Sequence, residues 1–192
     1  MKHKSFLHFM LLTLLVSMFS IGRATAKKYA QVVWDRAYTL TFYYDEQMHT
    51  EGVLYYINTQ TEWINESTKY KVEKVVFDES FRDYRPTSTA GWFRDLMFLS
   101  TTVGMRDNLN TSEVTDMSYM FYRNYVNSID FTTFQNFVTS KVENMDYMFA
   151  ECRRLSSVNI STFDTRNVKS MQGIFSCISG AIYTKAASQK LT

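Results

Sequence analysis

The side chains able to carry out acid–base, nucleophilic or metal chemistry are few in this chain of 192 residues. The sequence has three histidines, and only His49 lies outside residues 1–26, which are predicted to be cleaved. A lone histidine provides no His–His metal pair and little basis for a His-dependent triad, so His49 is interpreted as a solvated loop residue. The glycines are scattered and form no phosphate-binding loop. We therefore predict that the protein is not an enzyme and has no catalytic residue, metal or cofactor.

Carboxylates offer a weaker alternative. Asp78, Glu79 and Asp83 are close together in the sequence, and a pair of carboxylates is the machinery of glycoside cleavage. No sequence pattern places these three residues in a cleft. Glycan cleavage therefore ranks below the non-catalytic interpretations.

The two cysteines, Cys152 and Cys177, lie 25 residues apart. An exported chain can pair two cysteines, so a disulfide between them is one interpretation. Their positions relative to the preceding phenylalanine differ, because Cys152 follows Phe149 by three residues and Cys177 follows Phe175 by two. Two small, buried, apolar side chains are the favoured interpretation.

Residues 1–26 have the pattern of a cleaved secretory signal peptide. Lys2 and Lys4 precede an uncharged apolar run, and the small residues "ATA" lead to a cleavage site predicted between Ala26 and Lys27. The alternative is a membrane anchor, but the run has about 16 residues and a spanning helix needs about 20. No later segment has the length and apolar character of a membrane span. The chain is thus predicted to be exported to the cell surface, the extracellular space or the periplasm.

The composition favours a packed domain and argues against a nucleic-acid partner. Hydrophobic residues make up 45% of the chain, which is ample for an interior. Lys and Arg number 21 against 19 Asp and Glu. Loss of Lys2, Lys4 and Arg23 with the signal leaves 18 against 19, a balance of −1. Binding to nucleic acid needs a clustered excess of basic residues.

An apolar pattern recurs in three segments, "VTDMSYMF", "VENMDYMF" and "VKSMQGIF". Each has apolar residues at i, i+3, i+6 and i+7, the spacing of one face of a short helix. A threonine three residues before each segment is predicted to cap that helix. The predicted repeat-core residues are Val114, Met117, Met120, Phe121, Val142, Met145, Met148, Phe149, Val168, Met171, Ile174 and Phe175.

A second apolar pattern, at i, i+3 and i+5, begins at residues 72, 100, 126 and 155 and contains the alternation of a strand. The resulting prediction is an α/β repeat fold, namely a short leucine-rich-repeat solenoid of about four coils over residues 72–178. Each period of 26–29 residues would supply one strand and one short helix, and like side chains of successive coils would stack.

The two ends of the mature chain are predicted to differ from the repeats. Residues 27–71 are interpreted as a β-rich N-terminal cap, in which "YTLTFYYD" and "GVLYYIN" form a β-hairpin. Residues 179–192 are predicted to be an irregular tail. An alternative for the N-terminal segment is a small carbohydrate-binding module with Tyr43, Tyr44, Tyr55, Tyr56 and Trp63 as contact residues.

The stretches "NTSEVTDMSYMF", "TSKVENMDYMFAECRRLSSVNISTFDTRNV" and "NVKSMQGIF" resemble the BspA-like leucine-rich-repeat surface proteins. The resemblance covers roughly residues 29–178. It implies a secreted or surface-displayed interaction protein, similar to adhesins that bind extracellular matrix or other bacteria, with no shared catalytic residues. Ser100 and Arg106 depart from the family pattern, which has apolar residues at those positions.

These observations predict a non-catalytic interaction or adhesion module for a protein or glycan on host matrix or bacterial surfaces. In leucine-rich solenoids the residues between buried strand positions point outward, and a solvated sheet face is the alternative role for them. A further alternative is a structural subunit, or a truncated paralogue, that self-associates through an uncapped last coil or is completed by another surface protein. The candidate binding strip comprises Ser128, Asp130, Ser157, Asn159 and Ser161.

Overall fold

The computed structural model describes residues 26–57, 61–178 and 182–184, so the predicted signal peptide lies outside the described residues except for Ala26. Short strands are the main regular elements of this part of the chain. They are β1 (Tyr29–Trp34), β2 (Thr39–Asp45), β3 (Val53–Tyr56), β4 (Lys74–Phe77), β5 (Thr101–Val103), β6 (Ser128–Asp130), β7 (Ser157–Asn159) and β8 (Ile182–Thr184). Within the described residues, helical structure is limited to a one-turn helix α1 (Met105–Asn108) and two 3₁₀ turns, Glu79–Asp83 and Phe131–Thr133.

The strands form two sheets. The larger one is mixed, with the order β3-β1-β2-β4-β5, and the smaller one has the order β6-β7-β8. β1 pairs antiparallel with both β2 and β3, whereas β4 joins β2 in parallel and β5 joins β4 in parallel. The pairs of the smaller sheet are both parallel.

The predicted N-terminal hairpin is wrong in its pairing. Both predicted strands exist as β2 and β3, but β1 lies between them in the sheet. Val32, near the centre of β1, faces Phe42 on one side and Tyr55 on the other. The sequence pattern did not mark β1 as a strand, and its last four residues are all buried. A strand that is buried on both faces lacks the alternation used to find the other two.

The Met-Phe segments stack side by side on the opposite side of the repeats from β4–β7. Together with an earlier copy they form four ladder segments, residues 88–95, 116–123, 144–151 and 170–177. Alternate N–H groups of each segment donate to carbonyls of the next. The N–H of Phe93 donates to Met120 O (2.9 Å), that of Phe121 to Met148 O (2.9 Å) and that of Phe149 to Ile174 O (3.0 Å).

The predicted α/β leucine-rich-repeat solenoid is wrong. The ladder segments contain no helix, because Tyr119 N–H leaves its own segment and donates to Asp146 O (2.8 Å). Tyr119 and Arg123 also adopt left-handed conformations, with φ of 57° and 52°, which a right-handed helix does not accommodate. The result is a mostly β structure with a five-stranded mixed sheet, and its strands do not form one continuous stack.

The threonines predicted to cap helices have a different role. Thr111 Oγ1 accepts a hydrogen bond from Val138 N–H, and Thr139 Oγ1 accepts one from Asp164 N–H, both at 2.7 Å. These two threonines are buried, as is Thr165. Each of the first two therefore joins one repeat to the next through its side chain, while its carbonyl begins a single turn by accepting the N–H of Val114 or Val142.

The core is continuous from the N-terminal sheet to the last ladder segment. Nine of the twelve predicted repeat-core residues are buried, while Val168, Met171 and Phe175 of the last segment are partly buried against the same core. Stacked ring contacts run along it, since Phe149 lies 5.6 Å from both Phe121 and Phe175, centroid to centroid. Burial of each such ring contributes roughly 1.5–3 kcal/mol.

The C-terminal region also differs from its prediction. The segment predicted to be an irregular tail contains β8, which pairs with β7. Across residues 26–57, 61–178 and 182–184, no helix has the length and apolar character needed to cross a lipid bilayer.

Candidate functional site

The main irregularity of the structure is a gap between β5 and β6. Successive repeats supply neighbouring strands at β4–β5 and at β6–β7, but β5 and β6 end two separate sheets. No backbone hydrogen bond joins Thr101–Val103 to Ser128–Asp130, both of which are among the described residues. A cleft of about 410 Å³ lies between them. We call it the sheet-gap cleft.

The two strands present main-chain groups to this cleft. Thr101 N–H donates to Glu73 O beside β4 (3.1 Å), so alternation along β5 directs the N–H and C=O of Thr102 towards the opposite edge. Ser156 N–H donates to Asn127 O (2.8 Å), so alternation likewise directs the main-chain groups of Ser128 away from β7. The sheet-gap cleft is therefore bordered by two strand edges that face each other.

The gap is local, because hydrogen bonds join the two neighbouring repeats on both sides of it. Before the gap, Asn124 Nδ2, which is buried, donates to Phe93 O (3.1 Å). After it, Gln135 N–H donates to Arg106 O (3.0 Å). Between these joints β5 has no buried side chain, so no packing interaction draws it against β6.

The floor of the sheet-gap cleft is apolar and its rim is polar. Leu99, Met105 and Phe121 line it and are all buried core residues. The rim includes exposed polar side chains such as Ser100 and Asn127. An apolar pocket with a small number of polar groups around it has the general character of a binding site.

Three charged side chains line the same cleft. Arg106 follows β5, Asp130 ends β6, and Arg154 lies over the Tyr125 ring, with 5.1 Å between the guanidinium carbon and the ring centroid. The hydroxyl and N–H of Thr132 donate to Asp130 and hold the pKa of that carboxyl below its ordinary value, with further help from Arg106. The lining therefore carries two positive charges and one negative charge at neutral pH.

Some residues of the candidate binding strip line this cleft and others do not. Ser128 and Asp130 line it, whereas Ser157 and Asn159 lie opposite them on β7. Asn159 also interacts with the Asp130 carboxylate, and its Oδ1 accepts the N–H of Ser161 (3.1 Å). The structure thus brings the five predicted residues together, but only two of them reach the cleft. Sequence reasoning missed the cleft because only the departures at Ser100 and Arg106 signal it.

The two cysteines are free thiols, so no disulfide joins them in this structure. Cys152 is buried, as predicted, and its Sγ–H donates to Phe121 O (2.9 Å). Burial raises the pKa of Cys152 to about 12. Cys177 is exposed, so its predicted burial is wrong, and its hydrogen bond with Glu151 raises the pKa of its thiol.

His49 is not the solvated residue predicted from its loop position. Its side chain is 14% exposed and lies between two carboxylates, with Nε2 3.0 Å from Asp45 Oδ2 and Nδ1 3.4 Å from Glu51 Oε1. The Tyr43 ring stacks on the imidazole at a centroid distance of 3.7 Å. Burial, with the nearby Glu51 and Asp78 carboxylates, raises the pKa of Tyr43. No hydroxyl or thiol in the described part of the chain bonds to His49, so this cluster lacks the nucleophile of a triad.

The aromatic residues of the alternative carbohydrate module are mostly engaged in packing. Trp63 is fully buried and its Nε1–H donates to Trp92 O (3.0 Å), so its predicted contact with a glycan is wrong. The Tyr55 hydroxyl accepts a hydrogen bond from Asn65 Nδ2 (3.1 Å). Of the five candidates, Tyr56 is the one that is largely exposed, at 44%.

The carboxylates considered for glycan cleavage each interact with a different neighbour. Asp78 accepts the N–H of Ser80 (2.9 Å), and Asp83 pairs with Lys28 (3.1 Å). Among the described residues, no group of three His, Cys, Asp or Glu side chains has the arrangement of a metal site.

Residues 88–181 match a protein-family model described as "Mycoplasma protein of unknown function, DUF285". The matched range spans the four ladder segments, β5, β6 and β7, and it includes all the residues that line the sheet-gap cleft. No curated protein and no solved structure matched the chain. The resemblance to BspA-like surface proteins stays a prediction.

Proposed function

We propose that this protein is a non-catalytic interaction module that holds its partner in the sheet-gap cleft. The observation that supports the proposal is the pair of unjoined strand edges, on β5 and β6, above an apolar floor. Interaction sites commonly combine an apolar centre with a polar rim. The partner class proposed from the sequence is a molecule of the host matrix or of a bacterial surface.

Export is part of the same proposal, and its support is the pattern of residues 1–26. Expression of the full chain with a C-terminal tag in a bacterial host tests it. N-terminal sequencing of the exported product is expected to begin at Lys27. An uncleaved product that stays with the cells would contradict the export proposal without bearing on the cleft.

The site itself is tested with two matched tryptophan variants of the full chain. Ser128 and Ser157 are both exposed and lie opposite each other in register, but only Ser128 lines the sheet-gap cleft. The Ser128→Trp variant should fill the cleft, whereas Ser157→Trp should add the same bulk one strand away.

Binding of each protein to immobilised matrix proteins and to fixed bacterial cells is measured by biolayer interferometry. The wild-type and Ser157→Trp proteins should bind alike, and Ser128→Trp should bind about tenfold more weakly or worse. Equal losses in both variants would assign binding to the sheet face instead of the cleft. Unchanged binding in both, or hydrolysis of a polysaccharide by the wild-type protein, would overturn the proposal.

A further inference from the structure

We infer that the occupant of the sheet-gap cleft is an extended, acidic segment of a partner protein, which inserts as a strand between β5 and β6. This inference rests on the proposed function and adds the chemical class of the partner. It depends on the size of the cleft, the direction of the main-chain groups, the apolar floor and the charges of the lining.

The size of the cleft matches a short strand. A residue in a sheet takes about 3.3 Å along its strand and about 4.8 Å between strands, in a layer about 10 Å thick, which is roughly 160 Å³ per residue. The sheet-gap cleft of about 410 Å³ therefore holds two to three residues. β5 and β6 are each three residues long, so the bound strand would match the length of both neighbours.

The two edges provide main-chain partners for such a strand. Thr102 on β5 and Ser128 on β6 direct their N–H and C=O groups into the gap, because their neighbours Thr101 and Asn127 bond to the strand on the other side. An inserted segment would use hydrogen-bonding groups on both of its own edges. Addition of a strand to a free sheet edge is a general mode of peptide recognition, in which main-chain bonds give affinity and side-chain pockets give selectivity.

The apolar floor of the cleft favours an inserted strand in which apolar and polar side chains alternate. Leu99, Met105 and Phe121 lie beneath the inserted strand, and successive side chains of a strand point to opposite faces. Apolar side chains at every second position would cover this floor. The side chains between them would point outward to the charged rim.

The charges of the rim favour acidic side chains at those outward positions. Arg106 and Arg154 have no ion-pair partner within the described ranges, unlike Arg123, Arg153 and Arg166 elsewhere on the surface. Arg106 follows β5, and Arg154 lies over the Tyr125 ring, which precedes β6, so one arginine accompanies each of the two strands that border the cleft. The carboxylate in the lining, Asp130, accepts hydrogen bonds from Thr132 and is also stabilised by Arg106, with which it forms no direct ion pair. Arg154 is therefore the arginine of the rim whose charge no carboxylate of the lining offsets.

The test uses defined peptides and the full chain. Fluorescein-labelled EVEVEV alternates acidic and apolar residues, and KVKVKV reverses its charge. EPEPEP lacks the N–H of every second residue, so it cannot donate from one of its two edges. Fluorescence anisotropy should show binding of EVEVEV, with at least tenfold weaker binding of the other two peptides. Absence of EVEVEV binding at about 1 mM would overturn the inference.

Charge-reversal variants identify the arginine that is responsible. Arg154→Glu should weaken EVEVEV binding about tenfold and strengthen KVKVKV binding. Arg85→Glu is the matched control, because Arg85 is also exposed, has no carboxylate partner among the described residues and lies outside the cleft lining. An equal effect of the two variants would contradict the assigned site.

Hydrogen exchange of the backbone amides shows whether the peptide forms a strand. Bound EVEVEV should slow exchange at Thr102 and Ser128, and the Ser128→Trp variant should lose this protection. Unchanged exchange at both amides would overturn strand insertion. If Ser128→Trp abolishes binding to matrix proteins or to oligosaccharides while none of the peptides binds, the proposed function stands and the acidic-strand inference fails.

Discussion

Two series of neighbouring segments run along the repeats of this chain, the four ladder segments and the strands β4–β7, with side-chain links such as those of Thr111 and Thr139 between the repeats. On the ladder side each segment donates alternate N–H groups to the next, and this pattern joins all four segments, from residues 88–95 to residues 170–177. On the strand side the series breaks between β5 and β6. The same repeats therefore give a closed ladder and an interrupted sheet.

The difference between the two sides follows from what each buries. The ladder side carries Phe93, Phe121 and Phe149, which are buried and lie one above another. On the strand side β4 buries Val75 and Phe77 and β7 buries Val158, but β5 and β6, the two strands at the gap, bury none of their residues. The sheet is thus continuous wherever at least one of two neighbouring strands buries an apolar side chain, and it is interrupted where neither does.

Truncation of the central ring of the ladder should have the largest effect. Phe149 is fully buried between Phe121 and Phe175, with nearly parallel rings. Phe149→Ala should lower the free energy of unfolding by about 3–5 kcal/mol, through lost burial and the cavity that remains. Urea denaturation followed by circular dichroism measures it. Phe98→Ala is the control, because Phe98 is 52% exposed, and it should cost less than about 1 kcal/mol. Equal costs would contradict a core organised around the ladder.

Substitution of one glycine on the strand side and one on the ladder side compares the two sides directly, with a smaller expected loss of stability than Phe149→Ala. Gly104, next to the cleft, and Gly91, in the first ladder segment, have nearly the same positive φ, 71° and 67°. A Cβ atom on Gly104 would lie 2.2 Å from the backbone oxygen of Phe77, whereas one on Gly91 would first meet Cδ of Arg94 at 2.9 Å. A long side chain can move aside and a backbone carbonyl cannot.

Gly104→Ala should therefore destabilise the protein by about 3 kcal/mol or more, and Gly91→Ala by about 1–2 kcal/mol. Thermal and urea unfolding of both variants measure the difference. A larger loss of stability for Gly91→Ala would show that the turn after β5 can adapt to a Cβ atom. The expectation that the Phe77 carbonyl cannot move aside, next to the sheet-gap cleft, would then be wrong.

The smallest expected effect is a difference in the chemical reactivity of the two thiols, which is measured without a change to the fold. Cys152 lies buried in the third repeat of the ladder side, with a pKa of about 12, and Cys177 is exposed beside Glu151. At pH 8 one thiol of the native protein should react with Ellman's reagent. A second should appear on unfolding. Because the raised pKa lowers the thiolate fraction, the reaction at Cys177 should be slower than that of an ordinary thiol and should accelerate as the pH rises.

The Cys177→Ser variant provides the control for this measurement and should show no reactive thiol until it is unfolded. Two thiols absent from both the native and the unfolded wild-type protein would indicate a disulfide. That result would contradict the separate positions of Cys152 and Cys177.

The sequence predicted which of these residues are buried, but it did not predict the backbone conformation of the segments that contain them. The spacing of Val114, Met117, Met120 and Phe121 fits one face of a helix, and all four are buried. The same spacing is produced here by successive turns that contain left-handed residues at Tyr119 and Arg123. Periodicity reports which side chains avoid water, and two different backbone paths can satisfy it.

The candidate site was predictable only in part, for a related reason. Alternation in the sequence identified Ser128 and Asp130 as outward-facing residues, and the structure places both at the sheet-gap cleft. Their distance from Thr102 depends on whether β5 and β6 pair. The pairing partner of a strand is a long-range choice that no local pattern contains.

The sequence by itself determined that successive repeats must match, because Met and Phe side chains recur at fixed intervals and are stabilised only against their counterparts. It also determined the small number of histidines and cysteines and the scattered glycines, which are the basis of the prediction that the protein is not an enzyme. The tertiary structure alone decided the insertion of β1 between β2 and β3, the absence of helix from the ladder segments and the opening of the sheet-gap cleft. Each of these depends on where backbone hydrogen bonds go once distant segments meet, and those bonds are the same chemical groups in every residue except proline.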